Sequence, residues 1–190
     1  ARMKLWFENT YFGGEAVPAT YINWGASAGC AFWGATPDFN TKSVWFHKII
    51  NDWEPWRWDF EIKTNKYWNI ILDIMKYFVE NNDEAYFLGN PEIGNAADNL
   101  SLIRGSSYLA TDIILNPDAV KKAVEIMSDS WVDAHEQLYS ICSGNNMGGD
   151  VLAWLNLWAP GKHDQMANDF STMISTGEIK EFFFPELIKM

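Results

Sequence analysis

Apolar residues recur at helical spacing in two long stretches. Tyr67, Ile70, Ile71, Ile74, Met75, Phe78 and Val79 form one stripe, and Asn65 stands where a cap would start the helix, which runs to about Asn81. Val120, Val124, Met127, Trp131, Leu138 and Cys142 form the other, along a run of about 26 residues. Asn116-Pro117 supplies a cap and a first-turn proline, Asp118 suits the helix dipole, and Gly144 stops the run. Shorter apolar segments at Pro18–Trp24, Thr41–Phe46, Ala85–Leu88 and Gly148–Leu157 read as strands. Pro55, within the aromatic–charged alternation Asp52–Phe60, marks an edge strand or an irregular loop.

The first 16 residues, with Gly13-Gly14, read as an arriving loop, and the segment from Ser175 closes as a short helix stopped by Pro185. Gly25–Gly34 is a small-residue turn and short helix that permits close backbone approach, without a dinucleotide fingerprint. Strands alternating with helices predict one α/β domain over residues 1–190, with parallel strands and flanking helices. In such folds the chemistry sits on loops at the carboxyl ends of strands, here Gly89–Asp98 and Trp158–Ser171.

Composition narrows the function classes. At 48% hydrophobic residues the chain can bury a core, and no apolar run reaches the ~18 residues that span a bilayer. A net charge of −11 repels nucleic acid. Cys30 and Cys142 lack the spacing of a disulfide framework or thiolate zinc site, and His47, His135 and His163 do not cluster. The opening Ala1-Arg2-Met3-Lys4 carries no signal-peptide pattern, so the cytoplasm is the expected compartment. Eleven tryptophans fit either a core with aromatic plugs or a pocket walled by indoles.

Several segments, in order, resemble one family. Leu102-Ile-Arg-Gly105 is followed by Tyr108-Leu-Ala-Thr-Asp-Ile113 and Asn116-Pro117-Asp-Ala-Val120; later come Asp169-Phe-Ser-Thr-Met-Ile-Ser175 and Glu181-Phe-Phe-Phe-Pro-Glu-Leu187. This set, covering roughly residues 85–190, resembles the uroporphyrinogen decarboxylase superfamily. The resemblance implies a (β/α)8 TIM-type barrel, of which this chain is an incomplete, central part. Open sheet edges then imply a fragment of a longer protein, or completion by another copy or another chain. It implies either cofactor-free decarboxylation or methyl transfer with a corrinoid, a corrinoid protein as partner, and zinc activating a thiol. The family's zinc-binding His-Xaa-Cys pair has no match in 1–190. Asn23 falls at the family's pyrrole-holding aspartate, Ser101 at a tyrosine and Asp169 at a serine.

On this reading a small organic substrate lies in the barrel mouth, with Asp169 as acid–base or orienting group. Asn90, Asp98 and Asn156 add polar contacts, and Trp33, Trp154 and Trp158 form walls. Arg104 binds an anion or pairs with a nearby acid, and His163 shares a loop with Asp164 and Asp169. Structural roles compete: Asp98 can cap the helix after Asn95, and Trp154 can belong to the core. The alternative is a non-catalytic module that binds carbohydrate or aromatic ligands through Trp53, Trp56 and Trp58, rimmed by Glu54 and Asp59.

Overall fold

A computed structural model describes residues 2–41, 43–54, 62–83 and 85–190. The elements in chain order are α1 (Arg2–Glu8), β1 (Ala19–Tyr21), α2 (Gly29–Phe32), β2 (Asp38–Phe39), β3 (Val44–Trp45), α3 (Lys66–Glu80), β4 (Phe87–Gly89), α4 (Ala96–Arg104), α5 (Ser106–Leu115), α6 (Pro117–Cys142), β5 (Gly149–Leu152), β6 (Leu157–Pro160), α7 (Thr176–Phe182) and α8 (Phe184–Lys189). No helix among the described residues is long and apolar enough to cross a membrane.

The helix signals hold. Asn65 Oδ1 accepts from the backbone N–H groups of Tyr67 and Trp68, at 2.9 and 3.2 Å, and α3 follows. Asn95 Oδ1 accepts from Asp98 N–H at 2.9 Å and opens α4. Ser175 and Glu178 form a reciprocal capping box at α7. The long run is one helix of 26 residues, α6, with Val120, Val124, Met127, Leu138 and Cys142 buried. Two terminal expectations change. Arg2–Glu8 is helical rather than a loop, and Pro185 lies in the first turn of α8 rather than ending a helix, where its missing N–H leaves no bond unmade.

The barrel expectation is overturned. Among the described residues every sheet has only two strands, and a single pair is parallel: β1 with β4, three residues each. β2 with β3 and β5 with β6 are antiparallel. The decisive segment is Gly148–Leu157, which the apolar pattern presents as one strand. It instead runs as β5 to Leu152 and turns through a 3-10 segment at Ala153–Leu155. It comes back as β6, with Leu152 opposite Leu157. Asn156 makes the reversal, at φ +50° with its N–H donated to Leu152 O at 2.9 Å. Asparagine tolerates that left-handed conformation better than the β-branched residues of a continuing strand. A parallel barrel needs a helical crossover between neighbouring strands, and a hairpin here forecloses one. The barrel mouth therefore has no counterpart among the described residues.

The chain divides into two compact units. The first comprises Ala1–Asn23, Asn69–Glu92 and Glu136–Gln165. Its core includes Phe7, Ile71, Met75, Tyr86, Leu88, Leu138 and Val151, with Phe7 tilted against Phe12 and Tyr86. β4 is satisfied on both edges. β1 covers one, and on the other the buried Asn146 side chain donates to Leu88 O (2.8 Å) and accepts from Leu88 N–H (3.0 Å). Two residues on, Asn90 N–H reaches Val151 O at 3.2 Å. An asparagine amide thus does the work of a strand neighbour, which keeps buried backbone groups paired.

The second unit comprises Trp24–Trp68, Ile93–His135 and Met166–Met190. Its core joins Cys30, Trp33 and Ile50 to Leu100, Ile103, Leu109, Val124 and Met127, closed by Phe170, Phe182 and Phe183. Gly29 is where α2 meets the chain at Ile93. Its N–H donates to Ile93 O at 3.1 Å, and a Cβ there would stand 2.0 Å from that oxygen. The small-residue turn thus serves close approach to a neighbouring backbone.

Candidate functional site

β4 and β5 of the first unit bring together a polar cluster inside an apolar surround. Asn90 follows the last residue of β4, and Asp150 is the second residue of β5. Asn90 is 2% exposed and Asp150 3%. Asn90 Nδ2 donates to both carboxylate oxygens of Asp150, at 3.2 and 3.1 Å, and Val151 N–H donates to Asp150 Oδ1 at 2.8 Å. Gly149, just before Asp150, admits the close approach of β6. A Cβ there would stand 2.4 Å from the Trp158 indole nitrogen and 2.5 Å from Ala159 O.

Burial pushes the Asp150 carboxyl above the usual carboxylate range. The Val151 N–H, the Asn90 amide and the field of His163 oppose the shift without cancelling it, and the charge of Asp164 adds to it. Two buried polar atoms of the groups that act on this carboxyl make no hydrogen bond: Oδ1 of Asn90, whose amide nitrogen holds it, and Nδ1 of His163, whose field reaches it. The other His163 ring nitrogen lies 3.4 Å from Leu157 O. Cys142, at the end of α6, is fully buried; burial first, and then the charge of Asp150, push its thiol up to about 12. That thiol is inert as a nucleophile. The cluster therefore offers a carboxyl of raised proton affinity, an unmatched carbonyl and an unmatched ring nitrogen.

The residues singled out in the sequence fall into different settings. Asn90 and His163 belong to this cluster. Trp158 flanks it: its indole N–H donates to Asn146 O at 2.9 Å and its ring lies 6.0 Å from that of Phe87. Trp154 is 44% exposed in the 3-10 segment, and Asn156 is the exposed turn residue. Asn23, in the same unit, is exposed.

In the second unit, Asp98 acts structurally. Its Oδ2 accepts from Asn95 Nδ2 at 2.9 Å and its Oδ1 accepts from Phe170 N–H at 2.8 Å. Ser101, on the next turn of α4, donates to Asp98 O at 2.8 Å. Asp169 is exposed at the start of a 3-10 turn, where its carbonyl accepts from the Thr172 hydroxyl at 2.9 Å.

Arg104 takes the second of the two roles its sequence left open. It is 7% exposed and pairs with Asp112 through Nε at 2.6 Å and Nη2 at 3.3 Å. Nη1 donates to the carbonyls of Ile50, at 3.1 Å, and of Asn51. The guanidinium lies over the rings of Trp53 and Tyr108, 5.4 and 5.5 Å from their centroids. Burial alone would raise Asp112, but the hydrogen bonds from Arg104, Asn116 and Trp53, with the charge of Arg104, hold it below the usual range. Trp53 packs against the core, while Trp56, Trp58 and Asp59 of the candidate binding face lie outside the described residues, as do Arg57 and the Pro55 segment. Trp33 is a buried core residue.

Asp150 and Asp112 were not singled out in the sequence. The available signal was an acid inside an apolar stretch, in Gly148-Gly-Asp-Val-Leu-Ala and in Leu109-Ala-Thr-Asp-Ile-Ile-Leu. A charge in that position is either paired or shifted in proton affinity, and these two illustrate both outcomes. The zinc that the family resemblance implies does not fit: among the described residues no three His, Cys, Asp or Glu side chains gather into a group able to hold a metal ion. No family model matches the chain, and neither does any curated protein or solved structure.

Proposed function

We propose that this chain is an enzyme, or part of one, that transfers a proton to a small organic substrate, with Asp150 as the acid. The observation that carries this reading is the Asp150 carboxyl, buried and held above the ordinary range, with the amide of Asn90 on it, whose Oδ1 is unmatched, and within the field of His163, whose Nδ1 is unmatched. A group poised to keep its proton nearer neutral pH is what general acid catalysis requires. Asn90 orients the carboxyl, and its free carbonyl accepts a hydrogen bond from a substrate N–H or O–H. His163 returns a proton from solvent after each turnover.

The likeness to the decarboxylase superfamily directs the reaction class. When a carboxylate substrate loses carbon dioxide, the C–C bond breaks and its electron pair stays on carbon. That carbon takes the proton from Asp150, and the resulting carboxylate is reprotonated through His163. The methyl-transfer branch of that superfamily rests on zinc, for which the described residues supply no ligand set, so no step is assigned to it.

The test is carbon dioxide release from uroporphyrinogen and a panel of small carboxylic acids by the full chain. Asp150→Asn is expected to lower the rate by roughly 10²–10⁴-fold, the range of general acid catalysis. An equal rate in that variant removes Asp150 from the reaction. Carbon-13 NMR titration of the same carboxyl gives an independent check: an ordinary aspartate midpoint would overturn the reading without any substrate in hand.

A further inference from the structure

Five side chains of α5 in the second unit face solvent, and none carries a charge: Ser107, Tyr108, Thr111, Ile114 and Leu115. At about 100° per residue they cover an arc of about 120°, with Thr111 at its centre. The opposite side of the helix is already used. Leu109 and Ile113 enter the core, and Asp112 holds Arg104. A helix that is apolar on both sides is ordinarily buried on both. Tyr108, Ile114 and Leu115 are instead 56, 72 and 69% exposed. A large side chain fully in water presents roughly 200 Å², so these three leave about 400 Å² of surface exposed on one short helix, the size of patch that marks an interaction site. The polar group at the centre asks nothing of a partner. The Thr111 hydroxyl donates to Ser107 O at 3.0 Å, which leaves its methyl group for contact.

We propose that this face of α5 is the contact surface of a homodimer, in which a second copy of the chain lays its own α5 across it about a two-fold axis at Thr111. Charge selects the occupant. Two chains of net charge −11 repel each other, and they approach most easily on a face without acids. A two-fold contact sets each surface against itself, and here uncharged meets uncharged. A basic partner would find no acid on this face to pair with. The axis also fixes direction. It runs the two helices antiparallel, so Tyr108 of one copy meets Leu115 of the other, Thr111 meets Thr111, and each amino end lies by the other's carboxyl end. The charges at the rim agree. Lys48 Nζ stands 4.2 Å from the Tyr108 ring centroid, at the amino end, and the exposed Asp118 follows the carboxyl end. The axis brings the Lys48 end of one copy to the Asp118 end of the other. Each copy contributes about half of the ~800 Å² per partner found in stable interfaces, so the dimer is weak and concentration-dependent.

Sedimentation of the full chain from about 10 µM to about 1 mM tests this. The average mass should climb from one chain towards two, half complete at roughly 100 µM. Leu115→Glu, at an exposed position outside the core, should weaken association about tenfold or more by placing a charge in the contact. Thr111→Cys should form a disulfide with its own copy on oxidation, because Cys30 and Cys142 are buried and the new thiols face each other across the axis. A single-chain mass up to ~1 mM overturns the proposal. So does association that Leu115→Glu leaves unchanged, which would put the contact elsewhere, and so does a Thr111→Cys chain that cross-links no faster than a Thr172→Cys control.

Discussion

Asp150 and Asp112 are both aspartates buried within apolar stretches, yet their surroundings drive them in opposite directions. Asp150 receives neutral donors and is raised; Asp112 receives a guanidinium and is lowered. The consequences for stability have opposite signs. An unfolded aspartate releases its proton near pH ~4. Native Asp150 holds its proton longer, so between that pH and its raised value the native state binds more protons. Stability therefore falls as pH rises through that window and stays lower above it. Asp150→Asn should remove this fall, giving a urea midpoint that is flatter from about pH 4 upward and higher at neutral pH than wild type. Loss of activity with a gain in stability is the pattern expected of a functional group rather than a structural one. Native Asp112 stays ionised below pH ~4, so its contribution is full above that value and is lost as pH falls through its lowered one. Arg104→Ala, which strands the Asp112 charge, should cost about 3–5 kcal/mol in urea unfolding at neutral pH. A cost within the spread of surface substitutions would refute the account of that pair.

At the scale of elements, the helices were legible and the strands were not. Asn65, Asn95, Asn116-Pro117 and Ser175 mark helix starts with their own side chains or ring, and the structure starts helices at each. These are local signals: cap and first turn lie within four residues. Strand extent is different, because an apolar run pairs with whatever edge is available. Pro18–Trp24 contributes three residues to β1, and Gly148–Leu157 folds against itself. The turn depends on Asn156 at positive φ. Asn156→Gly should leave the thermal midpoint close to wild type, whereas Asn156→Val should cost roughly 1–2 kcal/mol. Equal midpoints for the two would show that the conformation is not under strain. Gly29→Ala should be costly for another reason: its φ is ordinary, but the added Cβ meets Ile93 O at 2.0 Å. A loss of about 1–3 kcal/mol is expected from such overpacking, measured by chemical denaturation.

At the scale of the whole molecule, each compact unit is assembled from three separated segments of chain. Native-state hydrogen exchange should therefore group amides by unit rather than by position along the chain. The amides of β1, β4 and β5 should share one opening free energy, and those of α4 and α5 another. A protection pattern that follows chain order would contradict the division. The candidate site obeys the same logic. Asn90 and His163 could be named from their loops, but Asp150 became their neighbour only once β5 lay beside β4. Side chains within a turn marked the starts of α3, α4, α6 and α7 and most of the faces that α3 and α6 bury, although Ile70 is exposed and Trp68 is buried in its place, and composition set the acidic net charge and the apolar content that allows a core. Those depend on side chains within a turn or two of one another and on composition. Tertiary structure decided strand direction, the pairing of Arg104 with Asp112 rather than with a ligand, and the proton affinity of Asp150. Each of these depends on which distant groups exclude water from a residue or approach it, and one chain order is compatible with many such neighbours.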